Sequence, residues 1–226
     1  MQTLYLTRAT VDHIEGMVNL EKEVWGEEGA SADQLRSRIK KFPEGNPIIL
    51  LGDEVIACGC FQYCDDLSQK EDITWFSVTG DGNMSHQEDG ACIYGINLTA
   101  GNKLAKIFPG SLILEYAVAV LYTEAKEKFF LGSRIPGLAK ALSKKENSGM
   151  SVNDYIQSNK DPELRFYLSQ GFEICMVMAD YFPDPKSLNY GVLIELSNRH
   201  TRNRVLDFRI KDRIKLSDDL EIKVDI

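Results

Sequence analysis

Apolar and polar positions alternate between Thr3 and Ala9, which predicts a strand. Asp12 and Glu15 then have the spacing of a capping box, and Ile14, Met17, Val18, Val24 and Trp25 recur at the helical period while His13, Glu15, Glu21 and Glu23 fall on the other faces. Ser31 with Gln34 repeats the capping signal and opens a second helix, Leu35 and Ile39 inward, stopped by Pro43 and Gly45. Pro47 to Leu51 and Val55 to Tyr63 read as strands joined at Gly52-Asp53, where glycine supplies a positive φ. Cys64 to Gly90 is polar and Gly-rich, with a short strand expected at Ile73 to Val78; a mobile functional loop and an ordered insertion both fit it.

Cys92 to Thr99 restores a strand. After Gly110-Ser111, Leu112 to Lys128 is apolar on nearly every side, the pattern of a helix between two layers. Phe129 to Ser133 is a short strand, and Ser151 with Asp154 starts a modest helix. Asp161-Pro162 starts another, because Asp caps free amides and Pro is pre-set for a first turn, and Gly171 ends it. Glu173 to Tyr181 and Tyr190 to Leu196 are two further strands. Interleaved elements without a repeat make one mixed α/β sheet with helices on both faces the natural architecture. From Arg199 on, the chain is charged with apolar positions at Val205, Phe208, Ile210, Ile222, Val224 and Ile226. It divides into a main domain, residues 1–198, and an extension, residues 199–226, expected to be a hairpin or arm docked on the body or on a second subunit.

Charge narrows the partners. With 34 acidic against 26 basic side chains, the formal charge is −8, and no basic stretch dominates, which argues against nucleic acid and against an anionic membrane. No apolar run approaches ~18 residues and the first residues lack the order of a secretion signal, so the expected location is the cytoplasm. The 5 cysteines, Cys58, Cys60, Cys64, Cys92 and Cys175, lie mostly in apolar stretches and read as reduced buried thiols. Cys58-x-Cys60 has no second Cys/His pair, and Asp81 to Glu88 fails the spacing of an EF-hand, so no metal is assigned. Lys140, Lys144 and Lys145 form a local basic patch that reads as a solvated face.

Three phrases carry a resemblance. Asp161-Pro-Glu-Leu-Arg-Phe-Tyr-Leu-Ser-Gln-Gly-Phe172 has an aromatic pair followed by Gly-Phe; Ile93-Tyr-Gly-Ile-Asn-Leu-Thr99 leads through a loop into the apolar helix; and Gly132-Ser-Arg-Ile-Pro-Gly137 is followed by Tyr181-Phe-Pro-Asp-Pro-Lys-Ser-Leu-Asn-Tyr-Gly191. Over roughly residues 3–198 the chain resembles the GNAT superfamily of acyl-CoA-dependent N-acyltransferases, in particular the branch sometimes fused to carbon–nitrogen hydrolases. The resemblance implies a GNAT-like α/β (α+β) fold: a mixed, mostly antiparallel sheet with a central splayed pair of parallel strands. It implies acetyl-CoA or another acyl-CoA as cosubstrate and no metal. The acceptor would be a small-molecule or peptide amine that attacks the thioester directly, and a homodimer is among the assemblies it allows. Tyr167 takes the place of the acid that protonates the departing thiolate, a role open to a phenol of pKa ~10.

Leu98, Thr99, Lys103, Lys106, Ile107, Phe108, Pro109, Gly110 and Ser111 take the cofactor-binding place. A helix start offers free amides and the positive end of the helix dipole to a pyrophosphate, and Lys103 and Lys106 add charge. The loop departs from the family's Gln/Arg-x-x-Gly-x-Gly/Ala pattern, with Ala105 at the first position and Phe108 at the first glycine. That spelling keeps open a non-catalytic ligand-binding or regulatory domain on the same fold. For a general base the sequence offers Asp65, Asp66, Glu88 and Asp89, each also readable as a solvated loop charge, and His86. Arg134, at a strand end, reads as an ion-pair partner that could also meet an acidic group on an acceptor.

Overall fold

The computed structural model describes residues 2–103, 109–200, 213–217 and 220–225. Lys106, Ile107 and Phe108, with Ala105, lie outside the described residues, as do Val205, Phe208, Ile210 and Ile226 of the tail.

Among the described residues, nine strands form one sheet in the order β6-β7-β5-β4-β3-β2-β1-β9-β8. β1 (Gln2–Arg8), β2 (Pro47–Leu51), β3 (Glu54–Cys64) and β4 (Cys92–Ala100) pair antiparallel in turn. Gly52 sits at the β2–β3 turn with φ 63°, as its place in the sequence requires. β4 then runs parallel to β5 (Lys128–Arg134), and β5, β7 (Gly191–Ser197) and β6 (Glu173–Met178) complete that side. Along the other edge, β9 (Leu220–Asp225) runs parallel to β1 and β8 (Arg213–Ser217) returns antiparallel, a hairpin that lengthens the sheet.

Helices cover both faces. α1 (Ile14–Trp25) and α2 (Ala32–Lys41) bury Ile14, Met17, Leu20, Leu35 and Ile39 with Ile48 and Cys58 on one side. On the other, α4 (Pro109–Thr123) crosses β2 to β5, its Ile113 and Leu114 packed in the larger core with Ile49. Ile48 and Ile49 fall in separate cores because successive strand residues point to opposite faces. α7 (Pro162–Ser169) packs on β5 and contributes Leu164 to the larger core.

Several local expectations need correction. The box at the first helix is formed by Thr10 and His13, not by Asp12 and Glu15, because a short 3-10 turn at Val11–His13 precedes α1. Val24 is exposed, and Leu20 and Glu21 take the inward positions. Ile73 to Val78 is not a strand: Thr74 and Ser77 cap a short helix, α3 (Trp75–Thr79). α4 ends at Thr123, well before Lys128, and Ala125 just beyond it has φ 50°. β6 stops at Met178, and the chain turns through a positive φ of 51° at Asp180. Two other signals act as read: Ser31 accepts from the Gln34 amide, and Asp161 accepts from the amides of Glu163 and Leu164 at the start of α7. Between β5 and α7 lie two short helices, α5 (Leu138–Leu142) and α6 (Val152–Gln157). Among the described residues no helix is long and apolar enough to cross a membrane.

Candidate active site

β4 and β5 pair only at Ile93/Phe129, Tyr94/Phe130 and Gly95/Leu131, although β4 continues to Ala100 and β5 to Arg134. Beyond Gly95 the strands part. A register shift at Cys60/Phe61 leaves Ile96 without a partner on β3 and turns β4 away from its neighbour. The opening is a cavity of about 310 Å³ whose wall includes Ile96, Leu98, Gly132, Arg134, Glu163 and Tyr167.

α7 supplies the chemistry on one side. Glu163 and Tyr167 are four residues apart on that helix, hence on the same face one turn apart, and both reach the cavity. Burial pushes the Glu163 carboxyl up to about 7; Asp161 and Asp184 push the same way, while the Arg134 guanidinium and main-chain N–H oppose them. The Tyr167 ring packs edge-on to Phe166 and Phe172, and burial, reinforced by Glu163, pushes its phenol well above the ordinary value. It stays protonated at any working pH. A carboxyl poised near neutrality beside a protonated phenol has the properties of a general base and a general acid on one helix face.

The opposite wall is a buried polar network. Glu21, 2% exposed, accepts from the Ala30 amide (3.0 Å), Asn97 Nδ2 (2.7 Å), the Thr99 hydroxyl (2.5 Å) and Cys58 Sγ (3.6 Å). Trp25 Nε1 donates to Thr99 Oγ1 at 2.8 Å, and buried Arg38 donates to Asn97 Oδ1 at 3.1 Å and to the Gly82 carbonyl at 2.7 Å. Arg134 pairs with Glu28 at 2.8 Å, with its guanidinium 4.9 Å from the Trp25 ring and 5.3 Å from that of Phe182. Tyr181, also on the wall, bonds the buried Tyr94 hydroxyl at 2.7 Å, and its ring lies so close to Gly132 that a Cβ there would come 2.0 Å from the Tyr181 oxygen.

The expected residues are dispersed around this cavity. Tyr167 and Leu98 are on its wall. Thr99 belongs to the network under α1, and Lys103 pairs with Glu54 at 2.6 Å on the surface. Pro109 and Gly110 are buried at the start of α4, with Ser111 half-buried beside them. The base candidates from the sequence do not gather here. Asp65, Asp66, Glu88 and Asp89 are exposed off the cavity wall, Asp66 paired with Lys128 at 3.2 Å. His86 accepts from the Tyr63 amide and stacks on Phe42 at 4.1 Å, and burial lowers its pKa. Sequence reasoning passed over Glu163, although its spacing from Tyr167 was the available signal. Trp25, the Trp75-Phe76 pair and Phe182 carry no signal of a shared site, because distant segments bring them together.

No protein-family model matches the chain. It is 27% identical over 209 residues to an uncharacterized N-acetyltransferase, YkwB, of Bacillus subtilis strain 168, covering 87% of this chain and 90% of that one. It is 26% identical over 194 residues to a probable hydrolase of the same organism, YhcX, a match over 82% of this chain and only 37% of that protein's length. Among solved structures, the GNAT-like decarboxylase GphF in complex with isobutyryl-CoA superposes with a TM-score of 0.75 at 21% identity, over 86% of this chain and 99% of that one. The chain has the GNAT fold. A second GNAT-type structure, the loading domain of CurA from Lyngbya majuscula, reaches 0.73 at 22% identity, over 87% and 98% of the two chains. The ribosomal-protein-S18-alanine N-acetyltransferase of Escherichia coli reaches 0.54 at 11% identity, over 86% and 93%.

Proposed function

We propose that the chain is an acyl-CoA-dependent N-acyltransferase that moves an acetyl or other acyl group to a primary amine. The observation that carries this reading is the pair Glu163 and Tyr167, one helical turn apart on the wall of the cavity where β4 and β5 part. The site fits a thioester arm. Among the described residues, the β4 main chain beyond Gly95 has no strand partner on the β5 side, so apart from the Ile96 carbonyl, which Trp75 Nε1 holds, its outward amides and carbonyls can pair with the amides of such an arm. The start of α4 adjoins Leu98 of the cavity wall, and its first free amides are the place this reading gives to a pyrophosphate.

The steps follow from the two side chains. The Glu163 carboxylate takes a proton from the acceptor ammonium. The freed amine attacks the thioester carbon and forms the C–N bond; the C–S bond breaks, and Tyr167 gives its proton to the thiolate sulfur. The new C–N nitrogen, still carrying two hydrogens, gives one up to the Tyr167 phenolate through solvent, and Glu163 releases its proton to bulk water, which leaves a neutral amide, a free thiol and both side chains in their starting states. Release of free thiol from acetyl-CoA over an amine panel tests the reading, and acetyl-CoA is expected to raise the melting temperature by mass action. No thermal shift with any acyl-CoA would leave a non-catalytic domain on the same fold.

A second reading has its own support. GphF is described as a decarboxylase, it and the CurA loading domain superpose better than the S18-alanine acetyltransferase, and Arg134 sets a guanidinium at the cavity that a substrate carboxylate could claim from Glu28. In that reading a β-carboxyacyl-CoA would lose CO2 with no amine present. Malonyl-CoA converted to acetyl-CoA without an acceptor would establish it.

A further inference from the structure

The mouth of the cavity on the α1–α2 side is walled by aromatic rings that the proton chemistry does not use. Trp75 and Phe76 come from α3, inside the segment between β3 and β4, and Phe182 from the turn after β6. Phe76 and Phe182 stack at 5.7 Å with their planes 14° apart, and Trp75 stands edge-on to both, at 5.4 Å and 5.5 Å.

This wall is built in advance of any ligand. Trp75 Nε1 donates to the Ile96 carbonyl at 3.0 Å and its amide to the Tyr181 carbonyl at 2.9 Å, which ties α3 both to the parted strand and to the turn that carries Phe182. From below, Gln34, Arg38 and Lys41 of α2 hold the carbonyls of Asp81, Gly82 and Met84. α3 is thereby fixed over α2, across the sheet from α4. Phe76 nevertheless keeps 40% of its surface exposed, which leaves its ring open to a ligand at this mouth.

The charge around the rings is acidic. Glu27, Glu28 and Asp81 line the same mouth, and no lysine lines the cavity among the described residues. The two arginines there are engaged, Arg38 by Gly82 and Asn97 and Arg134 by Glu28. Flat apolar faces beside carboxylates suit a ligand with a planar apolar body and a cationic end.

We infer that the acceptor is an arylalkylamine, its ring laid against Phe76 in the wall of Trp75, Phe76 and Phe182 and its ammonium directed inward to Glu163. The inference rests on the acyl-transfer reading for its chemistry and on the aromatic wall for its specificity, and the two can fail separately.

The chain's 2 tryptophans, Trp25 and Trp75, both line the cavity, so intrinsic fluorescence reports on it directly. Titration of the whole chain with 2-phenylethylamine is expected to change the emission saturably, with a Kd about tenfold below that of n-butylamine. Phe76→Ala, at an exposed position that folding tolerates, is expected to cut that ratio to about threefold or less, with Phe76→Leu between the two. Equal affinity for the two amines, or a ratio that survives Phe76→Ala, overturns the inference. Thiol release from acetyl-CoA in the same samples reads the reaction apart from specificity. Aryl-selective binding without thiol release upholds the aryl site and removes the transfer reading; equal turnover of both amines does the reverse.

Discussion

Glu21 and Glu163 stand on the wall of one cavity, but on opposite sides of the sheet and in opposite situations. Glu21 is sealed under α1 and receives an amide, a carboxamide, a hydroxyl and a thiol. Glu163, on the first turn of α7, is desolvated and lies near the carboxyls of Asp161 and Asp184, with Arg134 as the main counterweight, and its pKa rises to about 7. A carboxylate whose lone pairs are spent on protein donors fixes geometry; one with too few donors for its burial keeps a proton in play near neutrality.

Exchanging each residue separates the two roles. Glu163→Gln keeps shape and removes the proposed base, so kcat is expected to fall by about 10²–10⁴ while the fold and the thermal response to acetyl-CoA remain. Glu21→Ala strands several buried donors and is expected to cost about 3 kcal/mol, a fall of roughly 6–12 °C in Tm for a chain of this size. A Glu21→Ala protein that melts like the wild type would erase the distinction. A smaller effect is expected from Tyr167→Phe, which removes the proposed acid but leaves the thiolate a competent leaving group: a loss of about tenfold or somewhat more in kcat with acetyl-CoA binding intact.

Stability against pH sharpens the same contrast. The native Glu163 holds its proton up to about 7, above the ordinary carboxyl value of 4.5, so its contribution to stability is complete below 4.5 and lost as pH rises through about 7. Glu163→Gln is therefore expected to gain Tm relative to wild type across that interval and to hold a constant advantage above it. The smallest effect belongs to Lys103→Ala. Its exposed pair with Glu54 is worth at most about 1 kcal/mol, so Tm should move by no more than about 2–4 °C; a reduced response to acetyl-CoA would mark Lys103 as a cofactor contact.

The two walls also differ in how far they could be read from the chain. The strands β1 to β5 themselves, and α7 with its Asp161-Pro162 start and Gly171 end, were legible, because capping, periodicity and a local phrase act within about a dozen residues. The α1–α3 wall was not. Glu21 meets Thr99 and Asn97, Arg38 meets Gly82, and Trp75 meets Phe182 only after the sheet has formed, and no spacing along the chain announces such pairs. The Thr74/Ser77 box was readable but lay in a short segment whose β-branched and aromatic residues mimic a strand, and tertiary packing decided for helix. Glu163 was legible in principle, one turn before Tyr167, but its raised pKa depends on burial against Arg134 and Asp184, which spacing does not reveal.

The pH dependence of kcat/KM, measured with acetyl-CoA and the best amine of a panel, tests the role of Glu163 most directly. The expected profile rises with an apparent pKa of about 7 in the wild type and loses that limb in Glu163→Gln. A wild-type profile with no limb near neutrality, or the same limb preserved in Glu163→Gln, would contradict it.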